Sequence, residues 1–558
     1  MHILFSSRLR RVGQVAARAG LGFVLALVVV VPGGLVQARA QSDAESGVPA
    51  AGRGRILLVL PFDNRSGQPS LEWVREAAPE ILSSRFASAG FAPMSRADRL
   101  YALDHLGLPQ GFHPSRATAL KLAQTLDADS IVVGSFATDG TGIAVQAQVV
   151  DVANLRMSEA VTARGEMRDL VVVFDSLAWK LTRQMDPGFK GSEETFVAAG
   201  AGLHLDAFEE YIRGITEPDQ AERLRHLKQA VALNPEYGEA FMALGREDYS
   251  GKQYEEAAAA FAKVGGNDPD SLEAGFYRGL SLLFSGDYPK AERAFGGVAR
   301  ILPLAQVVNN EGVAVSRQGH DGISLFRDAE TADPNAADYH FNLAVSLKRH
   351  GDVAEALAEL TQCLRLRPND TEALELQKAW TEPVKQLAGG PNPSLPAEVK
   401  ADPLERIARS FDAVAFRQAA LMLDQVDAAR QAALTPAERA RELAGQAKDY
   451  LDRGLLLEAE RLYHSAVAAD GKLAVAHAGL AQVRERTGDG EGARKEARAA
   501  LELEPTTDAY LVLGRLDLAG GKLDEAGKEA AEALKLEPAN RAAQELRRQI
   551  EAREGLKQ

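Results

Sequence analysis

Two asparagines and two arginines recur along this sequence at a fixed interval. Asn310 and Asn342 lie 32 residues apart, as do Arg317 and Arg349, and each arginine follows its asparagine by seven residues. Seven residues are two turns of an α-helix, so each Asn–Arg pair shares one helix face. Arg246, Tyr249, Phe276 and Leu280 fall on the corresponding faces of earlier helical stretches. These eight residues mix apolar anchors with hydrogen-bond donors, which suits an extended peptide whose backbone and acidic groups both need partners. A guanidinium holds a carboxylate through two parallel N–H donors, where a lysine acts as a point charge.

Residues for bond-making chemistry are not arranged in any comparable way. The ten histidines are scattered, with no His-Glu-x-x-His pair, no phosphate-cradling glycine loop and no Gly-x-Ser-x-Gly elbow. The single cysteine, Cys363, excludes an internal disulfide and reads as a buried core thiol. The expectation is a chain that is not an enzyme and takes no cofactor or metal. The formal charge of −14 becomes −19 without residues 1–40, which carry five arginines and no acid. So acidic a chain is a poor general nucleic-acid binder.

The elements that position the eight residues come from a pattern written at a 34-residue period. Gly245, Ala257, Phe261 and Pro269 recur as Gly279, Ala291, Phe295 and Pro303. Small residues let two antiparallel helices approach, the aromatic fills the gap between repeats, and proline ends the second helix. Gly312 and Pro334, Ala344, Ala356 and Pro368 continue the pattern, and Pro505, Gly514 and Pro538 resume it. This sequence resembles the tetratricopeptide repeat, a helix–turn–helix unit that stacks into a solenoid. The resemblance predicts an all-α solenoid in two blocks, 203–380 and 437–538. A Pro/Gly linker at 381–403 and a long helix at 404–434 separate them, and a capping helix occupies 539–558. On the helix-A face lining the concave groove, Asn310, Arg317, Asn342 and Arg349 are similar to the carboxylate clamp that holds a peptide's carboxyl terminus. Val313 and Val345 stand where such clamps often have a second asparagine.

Arg8, Arg10 and Arg11 precede the apolar run Leu21–Val31, and Ala38-Arg39-Ala40 offers small residues at the positions a signal peptidase reads. Residues 1–40 read as a secretory signal peptide cleaved after Ala40. The alternative is an uncleaved anchor spanning Ala19–Val36, which would tether the chain to the inner membrane. Residues 41–54 read as a linker.

Residues 55–187 read as an α/β module. Ile56–Phe62 is a continuous apolar run, as a strand buried on both faces requires. Helical and alternating stretches then follow in the order β-α-β-α-α-β-β-β-α, which predicts a mixed sheet with helices packed on it. Asp63, Asn64, Asp129 and Asp151 fall near strand ends, and their expected role is to cap turns. Val59-Leu60-Pro61-Phe62-Asp63-Asn64, then Ala128-Asp129, Val133-Gly134-Ser135 and Val149-Val150-Asp151-Val152, resemble the amino-terminal envelope domain of TolB and FlgO-like and CsgG-like proteins. That resemblance implies an accessory domain with no catalytic residues.

The whole chain thus reads as multidomain, an α/β module followed by a tetratricopeptide solenoid. The expected function is an exported, periplasmic or envelope-associated scaffold binding protein or peptide partners. One alternative is an envelope sensor whose α/β module binds a small ligand. Another is an accessory subunit of an enzyme or transport complex.

Overall fold

The structure, a computed structural model, describes residues 56–112, 114–138, 140–381, 404–411 and 413–555. The leader expected at 1–40 and the linker expected at 41–54 lie outside these residues, as does the Pro/Gly linker beyond Thr381. The described residues form two compact units, one joining 56–212 to 431–555 and the other comprising 213–381 and 404–430.

The first unit begins with the α/β module. Its strands are β1 (Ile56–Val59), β2 (Asp63–Asn64), β3 (Ala92–Pro93), β4 (Ser130–Thr138), β5 (Gly142–Asp151), β6 (Arg156–Met157) and β7 (Val161–Glu166). Its helices are α1 (Val74–Ala89), α2 (Arg96–His105), α3 (Arg116–Thr125), α4 (Leu170–Met185) and α5 (Glu193–Gly200). β1 lies between β3 and β4, parallel to both, and β4 continues antiparallel into β5 and then β7. The apolar run of β1 follows from this place, because Leu57 and Leu58 are fully buried in an interior strand. Ser95 closes a capping box with Asp98 at the start of α2.

Three of the four polar residues singled out at strand ends make hydrogen bonds there, Asn64 and Asp151 within their own turns and Asp129 across to the start of β1. Asn64 Oδ1 accepts from the Ser66 backbone at 3.0 Å, Asp129 accepts from the Ile56 backbone at 3.0 Å, and Asp151 accepts from Asn154 at 2.9 Å. Behind the sheet, Arg85 of α1 donates to the buried Asp175 of α4 at 2.7 Å. Burial of the Asp175 carboxyl outweighs the nearby guanidinium and pushes its pKa up to about 6.

Helix α6 (Leu205–Thr216) leads into the second unit, which holds the first repeat block. Its helices are α7 (Gln220–Leu233), α8 (Gly238–Ser250), α9 (Tyr254–Phe261), α10 (Ser271–Phe284), α11 (Tyr288–Ala299), α12 (Ala305–Arg317) and α13 (Ile323–Ala332). They continue through α14 (Ala337–His350), α15 (Val353–Leu366), α16 (Thr371–Thr381) and α17 (Ala413–Ala433). The aromatic does two things, filling the space toward the next repeat, as Phe261 does by stacking on Tyr277 at 5.9 Å, and covering a glycine. Phe261, Phe295 and Phe326 each lie on the glycine of their own repeat. A Cβ on Gly245, Gly279 or Gly312 would stand 2.7, 2.6 or 2.8 Å from that ring.

The long helix expected at 404–434 is shorter, because α17 begins at Ala413. Leu404–Phe411 contains no helix and runs as a strap along block 1. Leu404, Ile407 and Phe411 nonetheless face apolar clusters, so their spacing reflected burial and not helical periodicity.

The second repeat block returns to the first unit with α18 (Pro436–Asp452), α19 (Leu456–Ala469), α20 (Ala474–Arg486), α21 (Gly490–Leu503), α22 (Thr507–Ala519), α23 (Leu523–Leu536) and α24 (Arg541–Gly555). Thr435 and Glu438 form the expected capping box at its start. Gly514 departs from the glycine–aromatic pairing, since its nearest neighbour is Leu546 of the capping helix. This block packs on the α/β module. The fully buried Glu460 of α19 accepts from the Ser192 backbone at the N-terminus of α5, at 3.1 Å. Among the described residues no helix is long and apolar enough to cross a membrane.

Candidate functional site

The first helix of each repeat lines the groove of block 1, and α12 and α14 each carry a fully buried asparagine there, Asn310 and Asn342. A buried primary amide without partners is costly, so both must be satisfied. They are satisfied by the strap's main chain. Asn342 donates to the Arg406 carbonyl at 2.8 Å and accepts from the Arg406 N–H at 2.7 Å. Asn310 donates to the Ala408 carbonyl at 2.8 Å and accepts from the Ala408 N–H at 2.9 Å. Alternate residues of an extended chain present their backbone groups to the same side, so asparagines one repeat apart bracket residues i and i+2. The neighbouring Asn309, also fully buried, donates to the Arg406 carbonyl at 3.1 Å and accepts from Asn342 at 2.8 Å. This three-amide ladder holds the strap through its backbone, independently of the strap's side chains.

The strap's side chains are held separately. Arg406 donates to both oxygens of Asp370, at 2.6 and 2.7 Å, and to Asp338 and Glu372 at 3.0 Å each. Its guanidinium lies 3.6 Å from the centroid of the Phe341 ring, within cation–π range. Burial opposes the charge on Arg406, but its carboxylate partners prevail and hold its pKa above the usual arginine value. Hydrogen bonding from Arg406 in turn keeps Asp370 below the usual carboxylate range. Glu405, almost wholly buried, accepts from Arg349 and from Ser316, the latter at 2.6 Å. Burial acts to raise the Glu405 pKa, and these donors lower it by more. At the far end, Phe411 meets Phe276 at 5.6 Å between centroids, and Arg409 lies over Phe284.

Four of the eight residues singled out in the sequence touch this strap: Asn310, Asn342, Arg349 and Phe276. Leu280 is fully buried in the apolar cluster on which Ile407 and Phe411 pack. Tyr249 joins an aromatic cluster with Tyr254, Tyr277 and Phe284, and burial pushes its hydroxyl pKa up to about 12. Arg246 pairs with Glu273 at 2.8 Å. Arg317 lies over the Tyr288 ring, 5.9 Å from its centroid, so it does not form a clamp with Arg349. The carboxylate-clamp arrangement is therefore corrected. The asparagines hold internal backbone, and Arg349 holds a glutamate side chain.

The sequence reading overlooked Asn309, Ser316, Asp338, Phe341, Asp370 and Glu372. Asp338, Asp370 and Glu372 were visible as an acidic group at helix starts, but their shared partner is the distant Arg406. Nothing in the spacing announces a contact across more than 30 residues. Cys363 is fully buried, as expected, and burial raises its thiol pKa.

Two tetratricopeptide-repeat family profiles match the chain, at residues 337–370 and 478–542. The chain carries tetratricopeptide repeats in both blocks. Against curated proteins the sequence finds no match. Among solved structures, the tetratricopeptide protein YrrB, described as having an unusual peptide-binding site, is 16% identical. It covers 36% of this chain and 99% of its own, with a TM-score of 0.28. MamA of Desulfovibrio magneticus RS-1 is 22% identical, with 32% and 99% covered and a TM-score of 0.26. The LpoB C-terminal domain of Salmonella enterica is 20% identical, with 21% and 87% covered and a TM-score of 0.19.

Proposed function

We propose that this chain is a non-enzymatic scaffold of the bacterial cell envelope that binds protein or peptide partners through the groove of its first repeat block. The observation that carries this reading is the pair of buried asparagines, each matched by donor and acceptor to one residue of an extended backbone. A groove built this way binds main chain, and side-chain pockets on either side supply selectivity. The α/β module would set location or assembly. Its resemblance to envelope accessory domains, together with the leader-like layout of residues 1–40 in the sequence, supports an exported protein.

Crosslinking and affinity capture with the full chain in the native envelope test the reading. Recovery of discrete protein partners, reduced by Asn310→Ala with Asn342→Ala, is the expected result. A chain that crosslinks to no protein would contradict it.

A further inference from the structure

The strap already lies against α10, α12, α14 and α16 of the groove. We propose that Leu404–Phe411 is a built-in ligand occupying the block 1 groove in cis, and that the partner is an extended peptide segment with the same chemistry. That chemistry is an acid, an arginine, an apolar residue, a small residue and, three positions later, an aromatic. The proposal rests on the reading of this groove as a protein-binding site.

Each feature of the pattern has a receiving group. The acid, Glu405, reaches Arg349 and Ser316. The arginine, Arg406, enters a pocket of three carboxylates, Asp338, Asp370 and Glu372, floored by Phe341. The apolar Ile407 packs on the core of the block, and the aromatic Phe411 packs on Phe276. The small residue, Ala408, is the one bracketed by Asn310. Such a pocket discriminates by charge. Arg367 pairs with Asp338 at 2.8 Å and Asp370 at 3.5 Å, but an acid in place of the arginine would still face three carboxylates against that one cation, and like charges brought together out of water repel.

The strap is part of the same chain, so its local concentration at the groove is on the order of millimolar. A partner presented in trans must displace it, and its apparent affinity falls by the fraction of molecules whose groove is open. The strap therefore sets a threshold that admits a partner only when it binds tightly or is abundant. Damaging the strap should lower that threshold without touching the groove.

The test uses the full chain and a fluorescein-labelled peptide reproducing residues 404–411, read by polarisation. The Arg406→Glu chain should bind this peptide at least tenfold more tightly than the wild type. Adding Asn310→Ala and Asn342→Ala to that chain should abolish the gain. A peptide with Glu at the arginine position should not bind. Arg406→Ala, which adds no repulsion, guards against a misfolded Arg406→Glu chain and should give the same order with a smaller gain. Equal binding by wild type and both strap variants, or binding by none of them, would overturn the proposal. Capture from the native envelope separates this failure from failure of the scaffold reading. Equal recovery of partners by wild type and Arg406→Glu would refute only the built-in ligand, whereas recovery of none by either would remove the scaffold.

Discussion

At the scale of residues, the groove divides its labour between backbone readers and charge readers. Arg349 and Arg317 are equivalent in the repeat but not in the fold, since only Arg349 meets the strap. Arg349→Ala leaves the buried Glu405 with Ser316 as its remaining side-chain donor beside its own backbone N–H, a loss of about 1–3 kcal/mol for an under-satisfied acceptor. Trypsin cleavage after Arg406 and Arg409 should therefore speed up in Arg349→Ala and stay at the wild-type rate in Arg317→Ala. Equal rates in the two variants would contradict this assignment. In the α/β module, Asp175 gives a pH prediction. Its folded pKa of about 6 stands above the ordinary 3.8, so between these values the folded state holds a proton that the unfolded chain has released. The contribution of this group to stability is greatest below pH 4 and is lost as pH rises through 6. Thermal melts from pH 4 to 6 should show that slope, and Asp175→Asn should flatten it. A slope unchanged by the substitution would mean other groups set it.

At the scale of elements, the repeat helices were legible because one physical demand recurs, the close approach of two helices in each repeat. Gly279→Leu violates that demand, since even a Cβ would stand 2.6 Å from Phe295. Overpacking of this kind costs about 1–3 kcal/mol. Hydrogen exchange should accelerate through Asp248–Pro303, while block 2 is spared because solenoid repeats are held by their neighbours. Unchanged exchange there would refute the packing role. In the α/β module β1 was legible as a buried apolar run and β5 as an alternating one, whereas the two-residue β2 and β6 carry neither pattern and were not read from the sequence. The strap was not legible. Leu404, Ile407 and Phe411 recur at intervals of three and four, which reads as a helix face, and only the amides of Asn310 and Asn342 reveal that this backbone is extended. Local pattern specifies how a segment buries apolar groups, while the conformation here is decided by polar groups 64 to 98 residues away.

At the scale of the whole molecule, chain order and spatial order differ. The α/β module and the second repeat block form one unit although the first block lies between them in sequence. Repeat periodicity carries no information about which block a preceding module packs on. The fully buried Glu460 capping the start of α5 marks that choice in the structure. If the chain is exported, as the basic, apolar and small-residue layout of residues 1–40 leads us to propose, the mature amino terminus should be Gln41 or a near neighbour. Amino-terminal sequencing of protein from the native host checks this, and a chain still beginning at Met1 would point to the anchor or to retention in the cytoplasm. The central claim, that buried asparagines in the block 1 groove hold an extended main chain, is tested most directly by hydrogen exchange of the full chain. The amides of Arg406 and Ala408 should exchange slowly in the wild type. In the Asn310→Ala, Asn342→Ala chain they should exchange freely while helices α8 to α11 keep their protection. Fast exchange at both amides in the wild type, with the helices protected, would contradict the account.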